Sequence, residues 1–268
     1  MFRLNISDKL AFIRMGERQG RHRGSSIDFQ EHRSYFPGDD IRFIDWSASA
    51  RTDNLMLKTF HEEISPVLEI CLDCSPSMAI TSEKWYRAIQ ILAFLWELAK
   101  SDHCLTKVYT FSDTASRLLD IQENSLRKLI PKGNGLESIL KYPQPFQKNS
   151  IRIIISDFLI SENLSAVTNS LFRECSLGLG LRILDPFEME PTPVGGFQLV
   201  DSETGEQISL RITKEICDKY KQRYAVHSTR IREIMSRHQG KLITFGTDQF
   251  IKNTIMLINQ QTGLIGFR

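Results

Sequence analysis

Asp73-Cys-Ser-Pro-Ser77 places a carboxylate and two hydroxyls within five residues, directly after the apolar run Val67-Leu-Glu-Ile-Cys-Leu-Asp73. An apolar run of this length reads as a buried strand, so these oxygens stand at its carboxyl end. In an open α/β sheet that end forms the ligand crevice. Oxygen donors gathered there suit a hard divalent cation, which accepts hydroxyl, carboxylate and amide oxygens and keeps part of its water shell. Mg²⁺ is the expected ion, with Mn²⁺ or Ca²⁺ as alternatives. Two further loops supply oxygens of the same kind. The β-branched run Ile151-Arg-Ile-Ile-Ile-Ser156 delivers Asp157 at its own carboxyl end, and Lys132-Gly-Asn-Gly-Leu-Glu-Ser-Ile-Leu140 sets Asn134 just before a helix. An isolated D-x-S also caps helices. The second carboxylate on a second central strand is what favours a metal site.

These loops need a scaffold, and the pattern from about residue 66 onward supplies one. Thr81 is expected to cap a helix running to about Ser101, with Trp85, Ala88, Ile89, Leu92, Trp96 and Ala99 on one buried face. Strands are expected at Thr106–Phe111, weakly at Arg117–Ile121, at Ile151–Ser156, Leu179–Leu184 and Lys241–Phe245. Short helices are expected around Ser125–Ile130 and Leu136–Tyr142, and longer ones at Leu164–Cys175 and Lys214–His238. This alternation implies an α/β fold, a doubly wound and mainly parallel sheet flanked by helices. Residues 195–212, turning at Ser202-Glu-Thr-Gly205, read as an inserted β-hairpin. Residues 1–65 read as an N-terminal extension with a basic loop, Arg14–Gly24, and a turn at Tyr35-Phe-Pro-Gly-Asp-Asp40.

The 268 residues are 41% hydrophobic and 25% charged, with formal net charge +2, which fits a globular chain and excludes one built throughout to coat nucleic acid. No signal peptide or membrane-spanning run is read, so a cytoplasmic protein with no membrane partner is expected. Five cysteines, odd in number and scattered, suit reduced core thiols. The lone C-x-x-C of Cys71 and Cys74 has no second pair for zinc.

Asp73-Cys-Ser-Pro-Ser77, the Asn134 loop and Asp157 together resemble the three loops of the metal-ion-dependent adhesion site of von Willebrand factor A-type domains. Upstream, Arg33-Ser-Tyr-Phe-Pro-Gly-Asp-Asp-Ile-Arg-Phe-Ile-Asp-Trp46, Ala50-Arg-Thr52 and Leu57-Lys-Thr-Phe60 resemble the signature of the bacterial family called domain of unknown function fifty-eight. The matches run from about Gly20 to the C-terminus, through Asp185-Pro, the Asp201–Gly205 turn and Thr247-Asp248. The resemblance implies a von Willebrand A-like, non-enzymatic adaptor that works inside the cell, paired with a MoxR-type AAA+ ATPase in the assembly or maturation of other proteins. It also implies a mechanism, in which Asp73, Ser75, Ser77 and Asp157 hold the metal and a partner's aspartate or glutamate fills the open position. Asn134 stands where such domains usually carry threonine; its amide oxygen is a neutral ligand with a different reach.

In the upstream signature, Arg33, Tyr35, Pro37, Gly38, Asp39, Asp40, Arg42, Asp45, Trp46 and Arg51 combine turn formers with alternating charges. One reading is an ion-pair network pinning the extension to the sheet; the other is a partner-binding surface beside the basic loop. Two rival functions stand beside the adaptor. A haloacid-dehalogenase-like phosphatase also begins with a strand ending in aspartate, but its D-x-D needs a second carboxylate where this chain has Ser75. A nucleic-acid module could use the basic loop and the basic helix, but lacks an aromatic stacking platform. The small net charge conceals two blocks: Asp185–Glu206 holds six acidic residues and no basic one, and Arg211–Lys241 holds nine basic against three acidic, 9 − 3 = +6. The hairpin is expected to fold over the helix and neutralise part of it, or else to leave a cationic face for an acidic partner.

Overall fold

The structure, a computed structural model, describes residues 2–4, 27–52, 54–62, 67–113, 117–118, 126, 128–160, 163–192, 195–202, 205–238 and 240–267. The Arg14–Gly24 loop and most of the expected Ser125–Ile130 helix lie outside them. The chain forms two units, Met1–Gly16 with Pro66–Arg268, and Glu17–Ser65. In chain order the first elements are β1 (Phe2–Leu4), β2 (Ile27–Ser34), helix α1 (Trp46–Thr52) and β3 (Met56–Glu62). The larger unit continues with β4 (Val67–Asp73), α2 (Ser82–Ser101), β5 (Leu105–Phe111), β6 (Arg117–Leu118), β7 (Ile151–Ser156), α3 (Leu164–Phe172), β8 (Leu177–Leu184) and α4 (Pro186–Met189). It closes with β9 (Gly195–Val200), β10 (Gln207–Ile212), α5 (Lys214–Ser236), β11 (Gly240–Gly246), α6 (Ile251–Thr262) and β12 (Ile265–Phe267).

The central sheet has the order β11-β8-β7-β4-β5-β6 and is parallel except for the edge pairing of β5 with β6. Every residue of β4 and β7 is buried, as unbroken apolar runs require when helices cover both faces. Alternation along these strands sorts their side chains between two cores. Leu68, Ile70, Leu72, Ile153 and Ile155 pack with α2 and α6, whereas Cys71 and Ile154 pack with α3 and α5. On α2 the buried residues are Lys84, Ala88, Ile91, Leu92, Leu95, Leu98 and Ala99, with Trp85, Ile89 and Trp96 half-buried at the margins. The expected face is therefore rotated slightly, and it carries a lysine.

Three expectations are corrected. The extension does not run intact from residue 1 to 65: β1 pairs antiparallel with β12, and Leu4 is buried in the core shared with α2. Segments this short carry no periodic signal, and β12 at the other end of the chain is equally short, whereas α6 is a twelve-residue helix that the expected elements do not include. Second, the two charged blocks meet differently. Lys221 pairs with Glu190 at 2.8 Å and the Tyr220 hydroxyl donates to the Glu188 carbonyl at 2.5 Å, so it is the stretch before the hairpin that touches α5. The hairpin itself, β9 with β10, is a separate two-stranded sheet with mostly exposed residues.

Third, the signature charges pair in part with groups other than those expected. Arg33 grips Asp39 with two bonds of 2.7 Å across the Pro37-Gly38 turn, where Gly38 adopts φ +106°. Arg42 pairs with Asp40 at 2.7 Å. Asp45 accepts the backbone N–H groups of Ser47 and Ala48, which opens α1, and is bonded by His32 at 2.9 Å. Arg51 donates to the Ser47 carbonyl instead of joining an aspartate. Tyr35 donates its backbone N–H to the Leu55 carbonyl, and Trp46 lies largely exposed.

Candidate metal centre

Strand order reverses at β4: the chain passes from β4 to β5 on one side and later places β7, β8 and β11 on the other. Such a reversal leaves a crevice at the carboxyl ends of the two strands that flank it. Asp73 ends β4 and Asp157 follows β7, so both carboxylates arrive at that crevice. A cleft there is lined by Asp73, Ser75, Asn134, Leu136, Glu137, Asp157, Leu159 and Ile160. Four of the five expected ligands thus share one cavity. Ser77 lies just behind it, buried, its hydroxyl 3.0 Å from that of Ser75.

Local bonds hold the two carboxylates and the Ser75 hydroxyl in place. Asp73 Oδ1 accepts the Ser75 N–H at 2.9 Å, and Asp73 Oδ2 accepts the Ser156 hydroxyl at 2.6 Å. Asp157 Oδ1 accepts the Leu159 N–H at 3.1 Å. The Asn134 loop is tied down by the Lys132 N–H, which donates to the Cys74 carbonyl at 2.6 Å. Gly135 makes this approach possible. Its φ is +52°, and a Cβ there would stand 2.4 Å from Asp73 Oδ1 and 2.7 Å from the Ser75 Cβ. Only glycine lets the second loop lie this close to the first.

The site is rich in negative charge. Burial, then the nearby Asp157, pushes the Asp73 carboxyl up to about 7. A buried acid that resists ionisation in the protein alone is one that a cation would relieve. The donor set fits a hard ion: residues that carry a carboxylate, a hydroxyl and an amide line the cleft, with Asp157 among them. Among the described residues no group of three or more histidine, cysteine, aspartate or glutamate side chains gathers for a metal, so the hydroxyl and amide are needed to complete this set. Cys71 and Cys74 are free and buried, and burial pushes the Cys74 thiol up to about 12.

Glu137 also lines the cleft without having been expected there, and three further unexpected residues act on its carboxylates. Lys84 is fully buried on α2 and gives its ammonium to Asp157 Oδ2 at 2.8 Å, Glu188 Oε1 at 2.8 Å and the Ser77 carbonyl at 3.0 Å. A lysine four residues before Ala88, on the apolar stripe, was the available signal. Glu188 belongs to a capping box with Asp185, its Oε2 accepting the Asp185 N–H at 2.7 Å. The D-x-x-E spacing was legible as a cap, but not its second role. Ser156, the last residue of β7, was read only as strand.

A family model described as "Protein of unknown function DUF58" matches residues 31–230. The chain belongs to this family. The matched span takes in both the Arg33–Arg51 signature and the residues of the cleft. Among its relatives, the uncharacterized proteins Rv1480 of Mycobacterium tuberculosis and Mb1516 of Mycobacterium bovis are each 22% identical over 263 residues, covering 92% of this chain and 83% of theirs. Of solved structures, the conserved hypothetical protein BatB from Bacteroides thetaiotaomicron aligns with TM-score 0.41 and 13% identity over 74% of this chain and 99% of its own. An aerotolerance-related membrane protein from Bacteroides fragilis aligns with TM-score 0.40 and 16% identity over 73% of this chain and 97% of its own. In the DUF58 chain described here, no helix among the described residues is long and apolar enough to cross a membrane.

Proposed function

We propose that this DUF58 protein is a non-enzymatic adaptor of von Willebrand A-like type, whose cleft holds a divalent cation and through it captures an aspartate or glutamate of a partner protein. The observation that carries this reading is the convergence of Asp73, Ser75, Asn134 and Asp157 on one cleft at the point where strand order reverses. Asp73 would supply the anionic ligand, Ser75 and Asn134 neutral oxygens, and Ser77 would fix the Ser75 hydroxyl. Asp157 would act beside them, since one of its oxygens is committed to Lys84. A cation held by few anionic groups stays electrophilic toward an incoming carboxylate in a partly desolvated cleft. Ser75 also supports binding over phosphoryl transfer, because a hydroxyl there provides no second carboxylate to act as general acid. A cytoplasmic setting and a MoxR-type AAA+ ATPase as working partner are part of the same proposal.

The test is capture from cell extract with wild type and Asp73→Ala, each with Mg²⁺ and with chelator. Proteins retained by wild type with Mg²⁺ and lost in the other three samples support the proposal. The same proteins in all four samples overturn it.

A further inference from the structure

The buried ammonium of Lys84 sits inside a site built for a cation, and that position has consequences for any ion that enters. All three of its acceptors are identified: Asp157 Oδ2, Glu188 Oε1 and the Ser77 carbonyl. Glu188 is oriented by its bond from the Asp185 N–H, and Asp185 Oδ2 accepts the Thr81 hydroxyl at 3.3 Å. Thr81 in turn caps α2, the helix that carries Lys84. One ammonium therefore joins the loops that follow β4, β7 and β8. Of its three acceptors only Asp157 lines the cleft, and none of the three bonds goes to Asp73, Ser75 or Asn134.

We infer that Lys84 is a positioning residue that works as a tethered cation, occupying the Asp157 side of the centre so that a divalent ion rests on Asp73, Ser75 and Asn134 and is held weakly until a partner's carboxylate joins it. The inference rests on the proposed metal centre. Two like charges in a poorly hydrated cleft repel even across several ångströms, so Lys84 lowers the affinity for the ion, and Glu188, which offsets Lys84, raises it. Lys84 bonds two carboxylates, Asp157 and Glu188, and without it the Asp157 oxygen that it holds would be free for the ion.

The two members of this ion pair give the decisive experiment, because breaking the pair from either side destabilises the fold but should move metal affinity in opposite directions. Mn²⁺ and Mg²⁺ binding would be measured by titration calorimetry, with Mn²⁺ also followed by electron paramagnetic resonance, on the full chain as wild type, Lys84→Met, Glu188→Gln and the double variant. Lys84→Met is expected to bind about tenfold more tightly than wild type, and Glu188→Gln several-fold more weakly. If Lys84→Met leaves too little folded protein, the double variant decides: it should bind more tightly than Glu188→Gln alone. Weakening by both single variants, or equal affinity of the double variant and Glu188→Gln, would mean a structural salt bridge only and overturns the inference. Wild type that binds neither ion, with Asp73→Ala indistinguishable from it, would instead refute the metal centre itself.

Discussion

Strands β4 and β7 bury charge at both ends, and the two ends treat it in opposite ways. Toward their amino ends, Glu69 and Arg152 stand opposite each other in register, both fully buried. Glu69 Oε2 accepts from Arg152 Nε at 3.0 Å, Arg152 Nη2 at 2.8 Å and Ser150 Oγ at 2.7 Å, and Glu69 Oε1 accepts the Gln147 N–H at 2.9 Å. Arg152 spends its remaining donors on the Leu171 and Arg173 carbonyls and lies over the Phe146 ring, 4.0 Å from its centre. Charge and hydrogen bonds both close. At the carboxyl ends, Lys84 pairs with Asp157 and Glu188 while Asp73 accepts the Ser75 N–H and the Ser156 hydroxyl, and the group opens onto a cleft. One sheet thus carries a finished ion pair that serves the fold and an unfinished one suited to a ligand. What separates them is compensation, since both are buried.

The largest test acts on the closed end. Arg152→Met would strand the Glu69 carboxylate in the core and is expected to cost about 3–5 kcal/mol in urea unfolding, whereas adding Glu69→Gln should recover most of that loss. A single variant within 1 kcal/mol of wild type would show that the pair is not a unit. At the open end the sign reverses, because there a carboxylate is the burden. The Asp73 carboxyl titrates at about 7 in the folded chain without metal, above its ordinary value of 3.8. The stability associated with its neutral form is complete below about pH 4 and is lost as the pH rises through 7. Asp73→Asn should therefore stabilise the chelator-treated protein by about 1–3 kcal/mol at pH 8 and leave it unchanged near pH 4. A stabilisation that is the same at both pH values would break the comparison. The smallest change concerns shape. Gly135→Ala should cost about 1–2 kcal/mol, since its φ is +52° and its Cβ meets Asp73, and should abolish any rise in melting temperature on adding Mg²⁺.

Much of the scaffold was legible from residue pattern. The β4 and β7 runs, the Thr81 cap, α5 and the β9–β10 hairpin all declare themselves through apolar periodicity, hydroxyl caps and turn residues. The positions of Asp73 and Asp157 were legible too, because each stands at the end of an apolar run of buried-strand length. The ends of the chain were not. A three-residue strand such as β1 gains its stability from pairing with β12, a partner more than 260 residues away, and leaves no local trace. The signature charges were read correctly as ion-pair formers, yet Asp45 chose His32 and the start of α1, and Arg51 chose a carbonyl. Opposite charges a few residues apart establish that pairs can form, and the backbone path determines which do.

The sequence by itself determined the family, the alternation of strand and helix, and which oxygens stand at strand ends, because these rest on local periodicity and on residue type. Tertiary structure alone decided the charge state of the site. Lys84 and Glu188 are 104 residues apart and Lys84 and Asp157 are 73 apart, so nothing local says that one ammonium will join both carboxylates. Only the stacking of α2 over the sheet, with the turn after β8 folded back beside it, puts a buried positive charge between the Asp157 and Glu188 carboxylates.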